Sequence, residues 1–172
     1  MDTARVYNMI LIDKTFKEKH CFALLGLEKS TNCWTLLGGK IDPTNSFEEN
    51  AARHLYIKSG MLLKHHCKDL KSYTFGAHKV FIHTPGNMIF SVEELNINIK
   101  KIIKNKQLSD EYKEISRFQI IKVTDLMTLA KQSIKGHSAA YIHAKEPKPM
   151  IIDGWLLYTL KHSTEEMLNY NY

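Results

Sequence analysis

The sequence predicts a single α/β domain. Three observations carry that expectation: strand-length apolar runs around polar turns between residues 6 and 37, a capped segment with helical spacing that stops at Gly60, and a second set of strand-like and helical patterns between residues 73 and 167. At 172 residues and 44% hydrophobic content the chain can bury a sizeable core. It shows no internal repeat, low-complexity tract or flexible linker, so the expected domain is 1–172.

Residues 6–13 and 21–27 read as two strands around a polar turn, and 34–37 is a short apolar run entering the double glycine Gly38-Gly39. Ser46 is placed to cap a helix, with Glu48 and Glu49 in the first turn, where negative charge suits the helix dipole. Ala51 and Leu55, with Ala52 and Tyr56 beside them, give that helix an apolar stripe, and Gly60 ends it. Pro85-Gly86-Asn87 is a strong turn signal, so 73–84 and 88–92 read as the two arms of a hairpin. Residues 115–123 are a further strand candidate that leads into Asp125-Leu126. At 152–167 the apolar positions Ile152, Trp155, Leu156, Tyr158, Leu160 and Met167 mostly fall at helical spacing, with Pro149 and Asp153 marking the start.

Across 38–61 the chain carries Gly39, Arg53, Leu55, Gly60 and Met61 at fixed separations. These residues resemble a Nudix box, in which a glycine is followed after five residues by a glutamate, and after seven more by Arg-Glu-aliphatic-any-Glu-Glu-any-Gly-aliphatic. The four glutamate positions hold Asn45, His54, Ile57 and Lys58. The box is therefore degenerate: its skeleton is present and its acids are replaced. The resemblance implies a Nudix-type fold, a mixed β-sheet flanked by α-helices. It extends over most of the chain in outline, with motif-level specificity at 38–61 alone, and Asp125-Leu126 looks like the segment that opens a helix in this family.

The replaced acids bear directly on chemistry. Nudix enzymes generally hydrolyse a nucleoside diphosphate linked to another group, with magnesium polarising phosphate oxygens and helping to generate hydroxide. Magnesium wants oxygen ligands in near-octahedral array, and residues four apart on a helix project to one face. Here the pair four apart is His54 and Lys58, and neither offers oxygen. A unit-charge pair about 4 Å apart interacts by roughly 4 kcal/mol at an effective dielectric of about 20, so Lys58 in place of a carboxylate turns attraction for a cation into repulsion. No metal ligand set and no cofactor is expected; magnesium enters only if acids outside the box positions supply a site.

The same substitution gives phosphate something to bind. An ammonium is a compact point charge for phosphate, and an imidazole donates hydrogen bonds or carries charge near neutral pH. Gly39, Lys40, His54 and Lys58 are the candidate ligand-binding residues, set against the plainer reading in which His54 and Lys58 only decorate an exposed helix. Gly38, Glu49, Arg53 and Gly60 are read as structural members of the box, with Arg53 pairing with Glu49 one turn earlier and Gly38 and Gly39 shaping the loop before the helix. Asp42 keeps an acid in that loop, either as part of a remnant site or as an ordinary turn residue. Glu111 and Glu114 fall roughly where some relatives supply a catalytic base; a solvated loop is the default for both.

Other features are less specific. The net charge is +6, and Lys100, Lys101, Lys104 and Lys106 crowd 100–106 between isoleucines, a cluster that suits RNA or an acidic partner, or equally a solvated helix face. Cys21, Cys33 and Cys67 show no C-x-x-C spacing, which fits reduced thiols and a cytoplasmic setting. No targeting signal is legible and no run is long enough to span a bilayer. His65-His66-Cys67 has no zinc-like spacing, and no nucleophile elbow is present. Trp34, Tyr73, Phe75, Tyr141 and Trp155 are able to stack on a base, although packing in the core is the usual fate of such residues.

The expected function is non-hydrolytic binding of a phosphate-bearing ligand, a nucleotide or nucleotide-linked metabolite, for sensing, sequestration or regulation. One alternative is an atypical hydrolase using Asp42, Glu111 and Glu114. Another is an RNA-binding or protein-interaction module on the same scaffold.

Overall fold

The computed structural model describes residues 3–13, 21–84 and 90–168, with side chains described as far as residue 163. The polar turn expected after the first strand, and the Pro85-Gly86-Asn87 turn, lie outside the described residues.

In chain order the elements are β1 (Arg5–Asp13), β2 (Cys21–Glu28), β3 (Cys33–Thr35), β4 (Leu37–Lys40), α1 (Phe47–Lys58), β5 (Ser72–Phe75), β6 (His78–His83), α2 (Val92–Lys104), a 3-10 turn (Asp110–Lys113), β7 (Ile115–Lys122), α3 (Val123–Lys131), β8 (Ala139–Tyr141), β9 (Met150–Ile152) and α4 (Gly154–Leu168). The strands form one mixed sheet in the order β5-β6-β1-β2-β3-β9-β8, with β4 also pairing β1 and β7 also pairing β2. β1 runs parallel to β6 and antiparallel to both β2 and β4. It meets β4 over Arg5–Asn8 and β2 over Leu11–Asp13.

Both faces of the sheet are covered, which explains why β1 and β2 read as near-continuous apolar runs rather than alternating ones. Tyr7, Met9 and Leu11 of β1 pack with Leu126, Met127 and Ala130 of α3 and Leu156, Leu157 and Leu160 of α4. Ile10 of β1 and Leu24 of β2 face the other way, against Leu55 of α1 and Leu95 and Ile99 of α2. The α/β class and the mixed sheet flanked by helices thus agree with the sequence expectation.

Several local expectations are corrected. A hairpin turn falls at Gly76, inside the expected first arm: β5 and β6 are both contained in 72–83, with Phe75 opposite His78. The expected second arm does not form as a strand where it is described, since Ser91 caps α2 by accepting from Glu94 N at 3.0 Å. Ile152 ends β9, and α4 starts only after Asp153, whose Oδ2 accepts from Leu156 N at 2.9 Å. Gly38 and Gly39 lie in β4 and not in a loop. Their lack of a side chain matters through close approach: a Cβ on Gly38 would stand 2.0 Å from Val6 O, and one on Gly39 would stand 2.6 Å from the His54 ring. The α1 stripe is also narrower than expected, with Ala51 and Leu55 buried and Tyr56 turned outward.

Candidate functional site

α1 is held in place at both ends and in the middle. Ser46 caps it, accepting from Glu49 N at 3.1 Å, and Gly60 leaves it with a φ of +67° that glycine adopts without strain. The loop before it is closed by Asn50, a buried side chain that the sequence reading missed. Its Oδ1 accepts from Asp42 N at 2.8 Å, and its Nδ2 donates to Asp42 O at 3.0 Å and Ser46 O at 2.8 Å. An asparagine inside an otherwise Glu- and Ala-rich first turn is the signal that was available.

A second buried amide ties α1 to the sheet. Asn8 of β1 donates from Nδ2 to Leu37 O and to Ala51 O, both at 3.0 Å. With both protons so used, its Oδ1 must accept, so His83 donates Nε2–H across 2.7 Å, leaving His83 Nδ1 to accept from His65 Nδ1–H at 3.1 Å. Burial holds His83 in the neutral form, with its pKa lowered to about 3. His65 and Cys67 therefore serve this buried network.

Against the outer side of α1 lies a cleft of about 850 Å³ lined by Arg5, Glu28, Lys29, Ser30, Gly39, Lys40, Arg53, His54, Lys58, Ile103, Asp110, Glu111, Lys113 and Glu114. The structure thus brings together Gly39, Lys40, Arg53, His54, Lys58, Glu111 and Glu114 from the residues singled out in the sequence. Asp42 is not among the lining residues. It is exposed and accepts from Thr44 N at 3.0 Å and Thr44 Oγ1 at 2.7 Å, bonds that lower its pKa and mark a turn residue.

Two ion pairs cross the cleft wall. Arg53 pairs with Glu111 at 3.0 Å, both side chains about half exposed, which corrects the expected pairing with Glu49. Lys58, whose side chain is only 9% exposed, reaches Glu114 at 3.1 Å. Glu111 and Glu114 are therefore part of the cleft and not residues of a remote solvated loop. The 3-10 turn Asp110–Lys113 brings them there, and the bond from Lys29 N to Glu114 O at 2.9 Å fixes that turn against the β2–β3 connection.

His54 has a different task from the one its position suggested. Its Nε2 lies 2.8 Å from Lys40 O and so must donate. Its ring also packs on Gly39. Desolvation lowers its pKa, with the carbonyl bond opposing and the nearby Lys58 and Arg53 charges assisting, so the ring is neutral at neutral pH. A neutral imidazole whose one N–H is given to a carbonyl has no donor for phosphate; His54 braces β4 against α1.

Magnesium does not fit the donors that α1 turns to the cleft. Arg53 and Lys58 are cations, and His54 is tied to a carbonyl. The cleft's cations, Arg5, Lys29, Lys40, Arg53, Lys58 and Lys113, outnumber Glu28, Asp110, Glu111 and Glu114. Arg5, Lys29 and Lys113 were not read from the sequence. Arg5 enters because the β1–β4 register sets it opposite Lys40. Among the described residues, no group of three or more His, Cys, Asp or Glu side chains is arranged to hold a metal ion.

The lysines at 100–106 lie elsewhere. Lys100, Lys101 and Lys104 occupy the exposed side of α2, opposite buried Leu95, Ile99 and Ile102. No helix among the described residues is long and apolar enough to cross a membrane.

No family model matches the sequence, and no curated relative matches it. Among solved structures, the chain is similar to the NUDIX domain of Shewanella oneidensis NrtR complexed with ADP ribose, at 13% identity and a TM-score of 0.49, covering 98% of this chain and 90% of that one. It is similar also to a Caenorhabditis elegans Ap4A hydrolase in a binary complex, at 14% identity and a TM-score of 0.41 over 74% of this chain and 85% of that one. A third likeness is to S. oneidensis NrtR complexed with a 27mer DNA, at 15% identity and a TM-score of 0.41, covering 96% of this chain and 61% of that one. With TM-scores below 0.5 and identities no higher than 15%, it falls to the residues themselves to support a functional assignment.

Proposed function

We propose that this chain is a Nudix-like protein with a degenerate box at 38–61 that binds a phosphate-bearing ligand, a nucleotide or nucleotide-linked metabolite, without hydrolysing it, for sensing, sequestration or regulation. One observation supports this most: the cleft beside α1 is walled by cations from four separate parts of the chain, Arg5, Lys29, Lys40 and Arg53, with Lys58 beneath them. Phosphate oxygens suit such a wall, because a guanidinium binds them bidentately and an ammonium binds them as a point charge. Arg53 is the principal anchor. It is half exposed, and its bond to Glu111 is an exchangeable surface pair worth about 1 kcal/mol or less.

Lys58 contributes charge from below and is not a direct contact in this reading. Its ammonium is nearly buried and already paired with Glu114. It supplies, as a fixed part of the fold, positive charge on the face where the box pattern would otherwise gather a metal ion.

The test is calorimetric titration of inorganic pyrophosphate in EDTA against the native chain and Arg53→Ala. Binding that weakens roughly tenfold in the variant supports the proposal. Binding that is absent in the native chain removes it.

A second reading has its own observation. Glu28, Asp110, Glu111 and Glu114 all line the cleft, so acids outside the box positions are near any phosphate bound there. A hydrolase using them would show magnesium-dependent release of product from nucleoside diphosphate-linked compounds, lost in Glu111→Gln or Glu114→Gln. Binding of RNA or of an acidic protein through 100–106 is distinguished by its place and its salt dependence: it would be lost on changing Lys100, Lys101 and Lys104, and RNA binding would fall steeply with salt.

A further inference from the structure

Apart from the cleft, and sharing no lining residue with it, is a pocket of about 160 Å³. Its apolar walls are Leu27, Trp34, Pro147, Pro149, Met150 and Ile151, and its charged groups are Arg117, Glu146 and Lys148. We propose that this pocket is a second ligand site, which takes a small carboxylate with a flat or branched apolar body. The carboxylate lies on Arg117 and the body against Leu27, Trp34 and Ile151. None of these residues enters the phosphate-binding reading of the cleft, so the two sites stand or fall separately.

Arg117 decides the sign of the ligand. Its Nη2 donates to both carboxylate oxygens of Glu146, at 2.7 and 2.5 Å, and its guanidinium carbon lies 5.8 Å from the centre of the Trp34 ring. One nitrogen thus satisfies Glu146, and among the described residues no partner takes the N–H groups of Nε and Nη1. The exposures agree, with the Glu146 side chain only 3% exposed and that of Arg117 47%. Glu146 is therefore an internal anchor that holds the guanidinium over the indole, and not a group offered to a ligand. What remains for a ligand is N–H donors on a cation, to which a carboxylate makes charge-assisted hydrogen bonds, and exposed Lys148 adds a second positive charge.

The strands set these groups in one row. Arg117 pairs with Leu27 across β7 and β2, and Leu27 with Trp34 across β2 and β3, and directly paired residues share a face of the sheet. The 142–149 connection between β8 and β9 then crosses to β7 and walls the row. His143 accepts from Lys145 N at Nδ1 across 3.0 Å and gives Nε2–H to Ile120 O at 2.9 Å, and Glu146 follows as the partner of Arg117. Pro147 and Pro149 line the pocket with ring carbons and carry no N–H, so this part of the wall offers a ligand apolar surface. Trp34 and Met150, both buried, make the inner wall, and Ile151, 38% exposed, the outer one. Such a pocket, mostly apolar with one placed charge, has room for a ring or branched chain on a short acid arm and not for a nucleotide. A free phosphate or a bare acetate would leave the apolar walls wet.

The experiment is calorimetric titration of 3-phenylpropionate, 4-methylpentanoate, 3-phenylpropionamide, acetate and inorganic phosphate against the native chain, Arg117→Lys and Ile151→Glu, each checked for folding by thermal melt. At least one of the two apolar carboxylates should bind tenfold or more tightly than the amide, acetate and phosphate, and should shift the Ile151 methyl signals in NMR spectra. Arg117→Lys keeps a cation for Glu146 but gives its single nitrogen to that pair, so binding should weaken about tenfold. Ile151→Glu sets a like charge at the outer wall, at a position already partly exposed, and should abolish binding while leaving pyrophosphate binding in the cleft unchanged. If neither apolar carboxylate binds at millimolar concentration, if the amide binds as tightly as the acid, or if either variant, once shown to be folded, binds as the native chain does, the assignment is wrong.

Discussion

Lys58 Nζ and Glu114 Oε2 lie 3.1 Å apart, joining the last turn of α1 to the segment that enters β7. The two ends differ in surroundings: the lysine side chain is 9% exposed and the glutamate 47%. That asymmetry makes the pair testable. Glu114→Gln strands a nearly buried ammonium and should destabilise by about 1–3 kcal/mol, whereas Lys58→Met leaves a carboxylate free to turn to water and should cost less. Urea denaturation of both variants and of the double variant measures it, with the double variant more stable than Glu114→Gln alone. Equal losses in the two single variants would mean that the pair is loosely held.

Stability should also fall with acid through His83. Its folded pKa, about 3, lies well below the ordinary histidine value of 6.5. The unfolded chain therefore binds the proton first, and stability is full above pH 6.5 and declines as the pH drops towards the folded value. At up to one proton and roughly 1.4 kcal/mol per pH unit, the loss between pH 6.5 and 5 is about 2 kcal/mol. His54 and His65, both lowered mainly by desolvation, add to it with the same sign. Denaturation midpoints across this range should show the slope, and His83→Gln should flatten it.

The two glycines of β4 should respond unequally to alanine. At Gly38 the new Cβ meets a backbone oxygen, Val6 O, which cannot move without breaking the β1–β4 pairing; at Gly39 it meets only the His54 ring. Gly39→Ala should cost about 1–3 kcal/mol by displacing His54 from Lys40 O, and Gly38→Ala should cost more. Thermal melts of the two proteins rank them, and the reverse order would contradict the register described.

What the sequence revealed and what it concealed divide along physical lines. The Ser46 cap, Gly60 and the apolar runs of β1 and β2 are local signals, and the structure agrees with them. The Arg53 partner was misread because Glu49 is one helical turn away while Glu111 arrives from 58 residues downstream through the 3-10 turn. Arg5 and Lys29 reach the cleft by strand register and a β-turn, which no spacing rule encodes. His54 was read as a phosphate ligand from its place in the motif; only the Lys40 carbonyl, brought close by β4, shows where its proton goes. Asn8 looks like an ordinary polar residue until the backbone groups it satisfies, Leu37 O and Ala51 O, are known.

The central claim, phosphate held by the protein's own cations in place of metal, is tested most directly by one comparison: the affinity of the native chain for pyrophosphate in EDTA and in magnesium. Magnesium neutralises part of the pyrophosphate charge, so a wall built from Arg5, Lys29, Lys40 and Arg53 should bind the free anion more tightly than its magnesium complex. Tighter binding in EDTA, with no product released, is the expected result. Binding that requires magnesium, or that turns into hydrolysis when magnesium is added, would contradict it.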